Sequence, residues 1–222
     1  MGVLVKAVFV VVLSYLLGSI SFALLMGKGV YGIDLRERGS GNLGATNAFR
    51  VLGTLPGLLV FVGDILKGVL SVCLASYLFP CTPTLISRSA CFSRVDASVV
   101  VLAGLAAIVG HNWSIYLKFS GGKGIATSAG VLLILFPKIV LFLSLIWFVI
   151  FMATRYISLG SVTIAFIFPF LVLYFHGENL PYVFFSIAAA VAVIYKHRSN
   201  LERLLKGEEA KTDVFSKLRG RG

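Results

Sequence analysis

From Ala126 to Thr154 the chain runs for 29 residues with Lys138 as its only charged side chain. About 20 apolar residues in a helix cross the roughly 30 Å hydrocarbon layer of a bilayer. Similar runs cover Val3 to Met26, Leu55 to Phe79, Ala97 to about Tyr116, Ser158 to about Phe175 and Pro181 to Tyr195. Runs this long and this frequent leave too few polar residues to cover a soluble core. Charged residues make up 13% of the chain, about half the share in soluble domains. The expected class is an all-α integral membrane protein, one membrane domain over residues 1–222. The first run has one basic residue near its start, Lys6, and no small-residue cleavage site after it, so it is expected to remain in the mature protein.

Pro137 decides how the long run is read. A proline ends a helix or begins one, because it has no N–H to donate. Splitting there gives seven spans, and basic residues then sort sharply. Lys28, Arg36, Arg38, Arg50, Lys118, Lys123, Arg155 and eight more Lys and Arg from Lys196 onward share one face. Lys6, Arg88, Arg94 and Lys138 share the other. Basic loops stay in the cytoplasm, so the N-terminus is expected outside and the C-terminus in the cytoplasm. Leaving the run as one helix would put the basic tail outside. The formal charge of +11 is accounted for by this flanking of spans, and nucleic acid is not expected as a partner.

The polar segments that remain carry the chemistry. Gly27 to Arg50 holds six glycines and four basic residues, too rich in turn formers to span. A short helix is expected within Asn42 to Arg50, with its N-terminus near Ser40. His111 to Gly130 contains Gly121, Gly122, Lys123 and Gly124. Glycines let backbone N–H groups approach an anion closely. Lysine adds a full charge, and the helix expected to start near Ile125 adds its positive end. This segment therefore reads as a phosphate or carboxylate site at the membrane edge. Arg155, Ser158 and Ser161 come from a third segment, and His197, Arg198, Asn200 and Arg203 from the tail. All fall on the cytoplasmic face of the seven-span arrangement. Arginine grips phosphate oxygens in pairs and lysine acts as a point charge.

Other features read as structural. Ser14, Gly18 and Ser21 give the first span a small-residue packing face. Asp64 and Lys67 lie three residues apart on one helix face, as an ion pair near the interface or facing a polar cavity. His176 falls on the outer side and reads as structural. Leu201, Leu204 and Leu205 suggest an amphipathic surface helix. Cys81 and Cys91 share a loop and can pair if it faces an oxidising compartment. No Cys or His spacing suggests a metal. Lys123 is followed by Gly124, so this is not a GxxxxGK[ST] nucleotide loop, and no GxSxG elbow or HxxxxD pair is present.

GSGNLGATNAFR (39–50), GHNWSIYLKFSGGKGIATSAG (110–130) and KHRSNLERLLKGEE (196–209) resemble the three signature motifs of the bacterial acyl-phosphate-dependent glycerol-3-phosphate acyltransferases, the PlsY family. YLLGSISF in the first span and the Asp64–Lys67 spacing are similar too. Residues 207–222 then form a basic tail. The resemblance implies transfer of a fatty acyl group from acyl phosphate to the sn-1 hydroxyl of glycerol 3-phosphate, giving lysophosphatidic acid and phosphate in the bacterial cytoplasmic membrane. It implies no cofactor and no metal, and a functional link to the enzyme that makes acyl phosphate. By motif match, Ser40, Arg50, Lys123, His197 and Asn200 form the catalytic centre. Asn42, Thr46, Asn47, His111, Gly121, Gly122, Gly124 and Ser161 are the matching substrate-binding positions. The proton of the attacking hydroxyl goes either to His197 or to an oxygen of the acyl phosphate itself. A transporter of a small organic phosphate is the other class the residues permit. Transporters place their site near the bilayer midplane and often carry internal repeats, whereas these polar residues gather at one face and no repeat is seen.

Overall fold

The computed structural model describes residues 2–80 and 94–212. Cys81, Cys91 and the last three basic residues of the tail lie outside the described residues. The described elements are helices: α1 Val3–Ser19, α2 Phe22–Leu24, α3 Ala45–Val51, α4 Thr54–Leu78, α5 Arg94–Asn112, α6 Ile125–Leu135, α7 Pro137–Thr154, α8 Ile157–His176, α9 Leu180–Lys196 and α10 Arg198–Leu205. A wide helical turn, Leu25–Val30, extends α2, and a tight one, Ile115–Leu117, lies in the loop after α5.

The first run differs from expectation. It is broken at Ile20, whose backbone is extended, and Ser21 restarts the helix by capping the Leu24 N–H at 3.3 Å. The break frees the Ile20 carbonyl, which accepts from the Lys67 ammonium at 2.9 Å. A buried cation thus gains a partner that an unbroken helix would withhold. Ser21, expected on the packing face, serves instead as this cap.

The break at Pro137 is present, with Phe136 in a non-helical conformation (φ −141°, ψ 59°) and Pro137 opening α7, where its missing N–H costs nothing. Phe136 packs on His176 and Tyr182, with ring centroids 5.4 and 5.0 Å away. These mark the end where α8 finishes and α9 begins. Lys123, before α6, bonds Asn200 beyond α9. The Arg155 carbonyl after α7 accepts from Thr212 at 2.9 Å. The chain therefore reverses at Pro137, so that α6, α7, α8 and α9 alternate in direction.

Val3–Val30, Thr54–Leu78, Pro137–Thr154 and Ile157–His176 are long and apolar enough to cross a bilayer alone, and α9 with α10, bent by 58°, makes a fifth candidate. Helix α6, at 11 residues, reaches only about 16 Å at 1.5 Å per residue. It is wedged against α4 and α5 inside the bundle. Helices α1 and α5 pack through small residues: a Cβ on Gly18 would lie 2.2 Å from the Ala107 carbonyl oxygen, and Ser14 is buried on the same face. The main core joins Val10, Val72, Ile108, Val131, Phe168 and Phe185. A second cluster, with Ala23, Leu35, Leu43, Ala48 and Val60, supports the polar loop before α3. Large apolar side chains such as Leu70, Leu141, Phe170 and Val191 point outward, as suits a surface solvated by lipid.

Candidate active site

Asn47 is the keystone of the first loop. It is fully buried in α3. Its side-chain oxygen accepts the Ser40 N–H at 2.9 Å, and its amide donates to the carbonyls of Leu35 and Arg38 at 3.1 and 3.0 Å. Gly39 has a positive φ of 61°, and a side chain there would collide with the Asn47 amide. Asn47 thus spends its polar atoms on shaping the loop. Ser40 and Arg50 are exposed on it, while Asn42 and Thr46 are half-buried. The α3 helix lies within the expected stretch but starts at Ala45 and not near Ser40, whose N–H is tied into the loop by Asn47.

The glycine loop lies directly on the end of α5. The Gly122 N–H donates to the His111 carbonyl at 3.0 Å. A Cβ on Gly122 would fall 2.0 Å from His111 Nε2 and 2.8 Å from the Leu43 carbonyl oxygen. One on Gly121 would strike the His111 carbonyl, and one on Gly124 the Asn112 side chain. These glycines are therefore required by close packing of two backbones as well as by any anion they hold. Leu43 belongs to the first loop, so its carbonyl also brings that loop against the second.

Lys123 is held above this platform by Asn200, whose side-chain oxygen accepts from its ammonium. Asn200 in turn donates to Glu209 Oε1 at 2.6 Å. Ser158, at the start of α8, donates to the same oxygen at 2.7 Å, and Arg203 Nε donates to Oε2 at 2.7 Å. The α6 start, the α8 start and the tail are thus joined at one carboxylate. Burial disfavours the Glu209 charge, but these three donors hold its carboxyl below the usual range. Burial pushes Lys123 down to about 8, partly offset by Glu209, with Arg203, Lys196 and Arg50 adding to the depression. Arg50 from the first loop is therefore close enough for its charge to act on Lys123.

His197 closes α9 and is buried. Its Nδ1 lies 2.9 Å from the Val193 carbonyl. A carbonyl can only accept, so the proton is on Nδ1 and Nε2 keeps a lone pair. Burial pushes this imidazole down to about 4, so it is neutral at physiological pH. Ser161 is buried, but its hydroxyl donates to the Ile157 carbonyl at 2.9 Å and lies 3.4 Å from Trp147 Nε1. Ser158, one turn earlier, is the α8 serine in the polar network.

One layer below, Asp64, Lys67 and His111 are buried together between α4 and α5. The expected ion pair exists, with Lys67 Nζ 2.8 Å from Asp64 Oδ1, and His111 is its third member. Beside the network, Ile125 and Ala126 line an apolar cavity of about 200 Å³ that continues between α6, α7, α8 and α9 to Phe168 and Phe185. A cationic centre thus borders an apolar space.

Residues 8–207 match the family model described as glycerol-3-phosphate acyltransferase. The glycerol-3-phosphate acyltransferase 2 of Moorella thermoacetica is 49% identical over 200 residues, covering 90% of this chain and 94% of that protein. The glycerol-3-phosphate acyltransferase of Aquifex aeolicus is 41% identical over 204 residues, covering 92% and 98%. A crystal structure of PlsY, an integral membrane glycerol 3-phosphate acyltransferase in its glycerol 3-phosphate form, superposes with a TM-score of 0.82 at 38% identity, over 96% of this chain and 98% of that one. Its lysophosphatidic acid form gives 0.80 at 37% identity, over 96% and 99%.

Proposed function

The chain belongs to the glycerol-3-phosphate acyltransferase family of integral membrane enzymes, and we propose that it moves a fatty acyl group from acyl phosphate to the sn-1 hydroxyl of glycerol 3-phosphate. The products are lysophosphatidic acid and inorganic phosphate. The observation that carries this reading is the junction at Lys123. Its ammonium meets Asn200, and the residues that follow it at the start of α6, Ile125 and Ala126, line the apolar cavity. A reaction joining an anionic head to an acyl tail needs both environments side by side. Each methylene taken into such a cavity contributes about 0.8 kcal/mol. The relatives' names and the two ligand forms of PlsY support the same acceptor and product.

In the proposed reaction the acceptor hydroxyl oxygen bonds to the acyl carbon, and the bond from that carbon to the phosphate oxygen breaks. Phosphate leaves with the electron pair. Lys123 and Arg50 neutralise the charge that grows on it, and preorganised charge of this kind often dominates catalysis. The glycine loop holds glycerol 3-phosphate, with Ser40, Asn42 and Thr46 around it. His197 offers its Nε2 lone pair to the hydroxyl and orients it. A base near 4 takes up a proton poorly at neutral pH. The proton therefore passes to the departing phosphate, and no acyl-enzyme intermediate forms. Acyl phosphate is a mixed anhydride, so orientation and charge are sufficient. The charge of the basic loops supports a site on the cytoplasmic face of the bacterial inner membrane; in this reading the chain makes seven crossings with its N-terminus outside, and acyl phosphate arrives from the enzyme that makes it.

Lys123 gives this reading a pH signature. The charged form binds phosphate, and its proton is lost near 8 in the free protein. With palmitoyl phosphate as donor, kcat/KM for glycerol 3-phosphate should be flat near pH 6.5 to 7, drop to about half near pH 8 and keep falling as pH rises further. Lys123→Arg should move that alkaline limb beyond the measurable range in whatever activity it retains, since a guanidinium stays charged. An unchanged limb in the arginine variant would remove Lys123 from phosphate binding.

A further inference from the structure

The buried array under the glycine loop has an unusual proton count. The Lys67 ammonium has three N–H bonds. One points at His111 Nδ1 at 2.8 Å and one at the Ile20 carbonyl at 2.9 Å, while Asp64 Oδ1, 2.8 Å from Nζ, is its ion-pair partner; an ammonium has no lone pair and can only donate. Nδ1 must then accept, so the neutral ring carries its proton on Nε2. Asp64 Oδ1 lies 3.4 Å from Nδ1, and Lys67 bridges these two acceptors. Nε2 is the ring atom that faces the loop, at Gly122, and among the described residues no protein acceptor meets it. The His111 carbonyl holds the Gly122 N–H from the same side. Helix α1 contributes the carbonyl of Ile20 here, α9 contributes the charge of Lys196, and the loop itself carries Lys123.

We propose that Asp64 and Lys67 are positioning residues for acyl transfer: they lock His111 as the Nε2–H tautomer, so that its free donor points at the phosphate held by the glycine loop. Without Lys67, Asp64 would draw the ring proton to Nδ1. Nε2 would then present a lone pair to an anion, except where the ring is doubly protonated. An ion pair that served only to join α4 and α5 would have no such consequence for substrate. The inference rests on the proposed function, since it takes the loop's ligand to be the acceptor phosphate.

Full-length protein labelled with ¹⁵N-histidine in lipid nanodiscs tests it directly. Its three histidines are assigned by His176→Gln and His197→Gln. The His111 ring nitrogens should report the neutral Nε2–H form from about pH 6 to 8, the range in which an ordinary histidine titrates. Lys67→Met should raise the KM for glycerol 3-phosphate about tenfold, as for loss of one hydrogen bond to a charged group, with kcat at saturation little changed. That KM should also become pH-dependent over the same range, rising with pH as the doubly protonated ring is lost. Asp64→Asn combined with Lys67→Met should remove the new pH dependence. A native His111 protonated on Nδ1, or a Lys67→Met enzyme whose KM is unchanged or shows no pH dependence, overturns the inference. The measurement on native protein stands even if Lys67→Met does not fold. Native protein that shows neither acceptor binding nor turnover would instead refute the proposed function.

Discussion

Lys123→Ala is expected to lower kcat by at least 10²- to 10³-fold, the range seen when one preorganised group stabilising transition-state charge is removed. The lysine is half-buried at the one place where the glycine loop, the α6 start and the tail converge. Its burial is already unfavourable for a cation, which is why its proton is held at about 8. Removing it relieves that cost and leaves Asn200 bonded to Glu209. The variant should therefore fold, with circular dichroism and detergent unfolding temperature close to native. Normal turnover in a folded Lys123→Ala enzyme would take this residue out of the active centre. Loss of both fold and activity would make it structural.

The second large effect is expected at Gly122. Gly122→Val should abolish activity for a different reason. Its Cβ would meet His111 Nε2 at 2.0 Å and the Leu43 carbonyl oxygen at 2.8 Å. The imidazole cannot step aside, because Lys67 and Asp64 hold its other edge, and the carbonyl is backbone. Relief must come from lifting the glycine loop off α5, which carries Lys123 away from Arg50 and Asn200. Gly29→Ala is the control, since nothing lies within 4 Å of the added carbon. Palmitoyl-transfer rates should fall by more than about 100-fold in the first variant, as for a misplaced catalytic group, and stay native in the second. Near-native activity in Gly122→Val would mean that the loop position is not set by this contact.

Where the physics was local, the sequence was a good guide. Pro137 lacks an N–H wherever it sits, so the reversal there could be read before any coordinates. Long apolar runs demand lipid, and the small face at Ser14 and Gly18 demands a close neighbour, found in α5. Where an outcome depended on residues distant in sequence, it was hidden. Ile20 and Ser21 look no different from the apolar run around them, because the reason to break that run is Lys67, 47 residues away. Ser158 and Ser161 share a helix face one turn apart, and only the position of Glu209 selects Ser158 as the bonded one. Glu209 itself was visible as the last residue of the third motif. Its role as the acceptor joining Ser158, Asn200 and Arg203 arises only when the tail folds under the bundle. The glycines of the second loop suggested an anion nest by composition, whereas their close approach to His111 and Asn112 could not be read from it.

In the proposed function the cationic centre and the neighbouring cavity together take an acyl phosphate and an acceptor phosphate. The most direct measurement compares donors side by side on purified, folded protein. With palmitoyl phosphate, release of inorganic phosphate should depend on added glycerol 3-phosphate and match the lysophosphatidic acid formed mole for mole. With palmitoyl-CoA in its place, no acyl transfer should occur. Transfer from palmitoyl-CoA, or phosphate release that proceeds equally without glycerol 3-phosphate, would contradict the account.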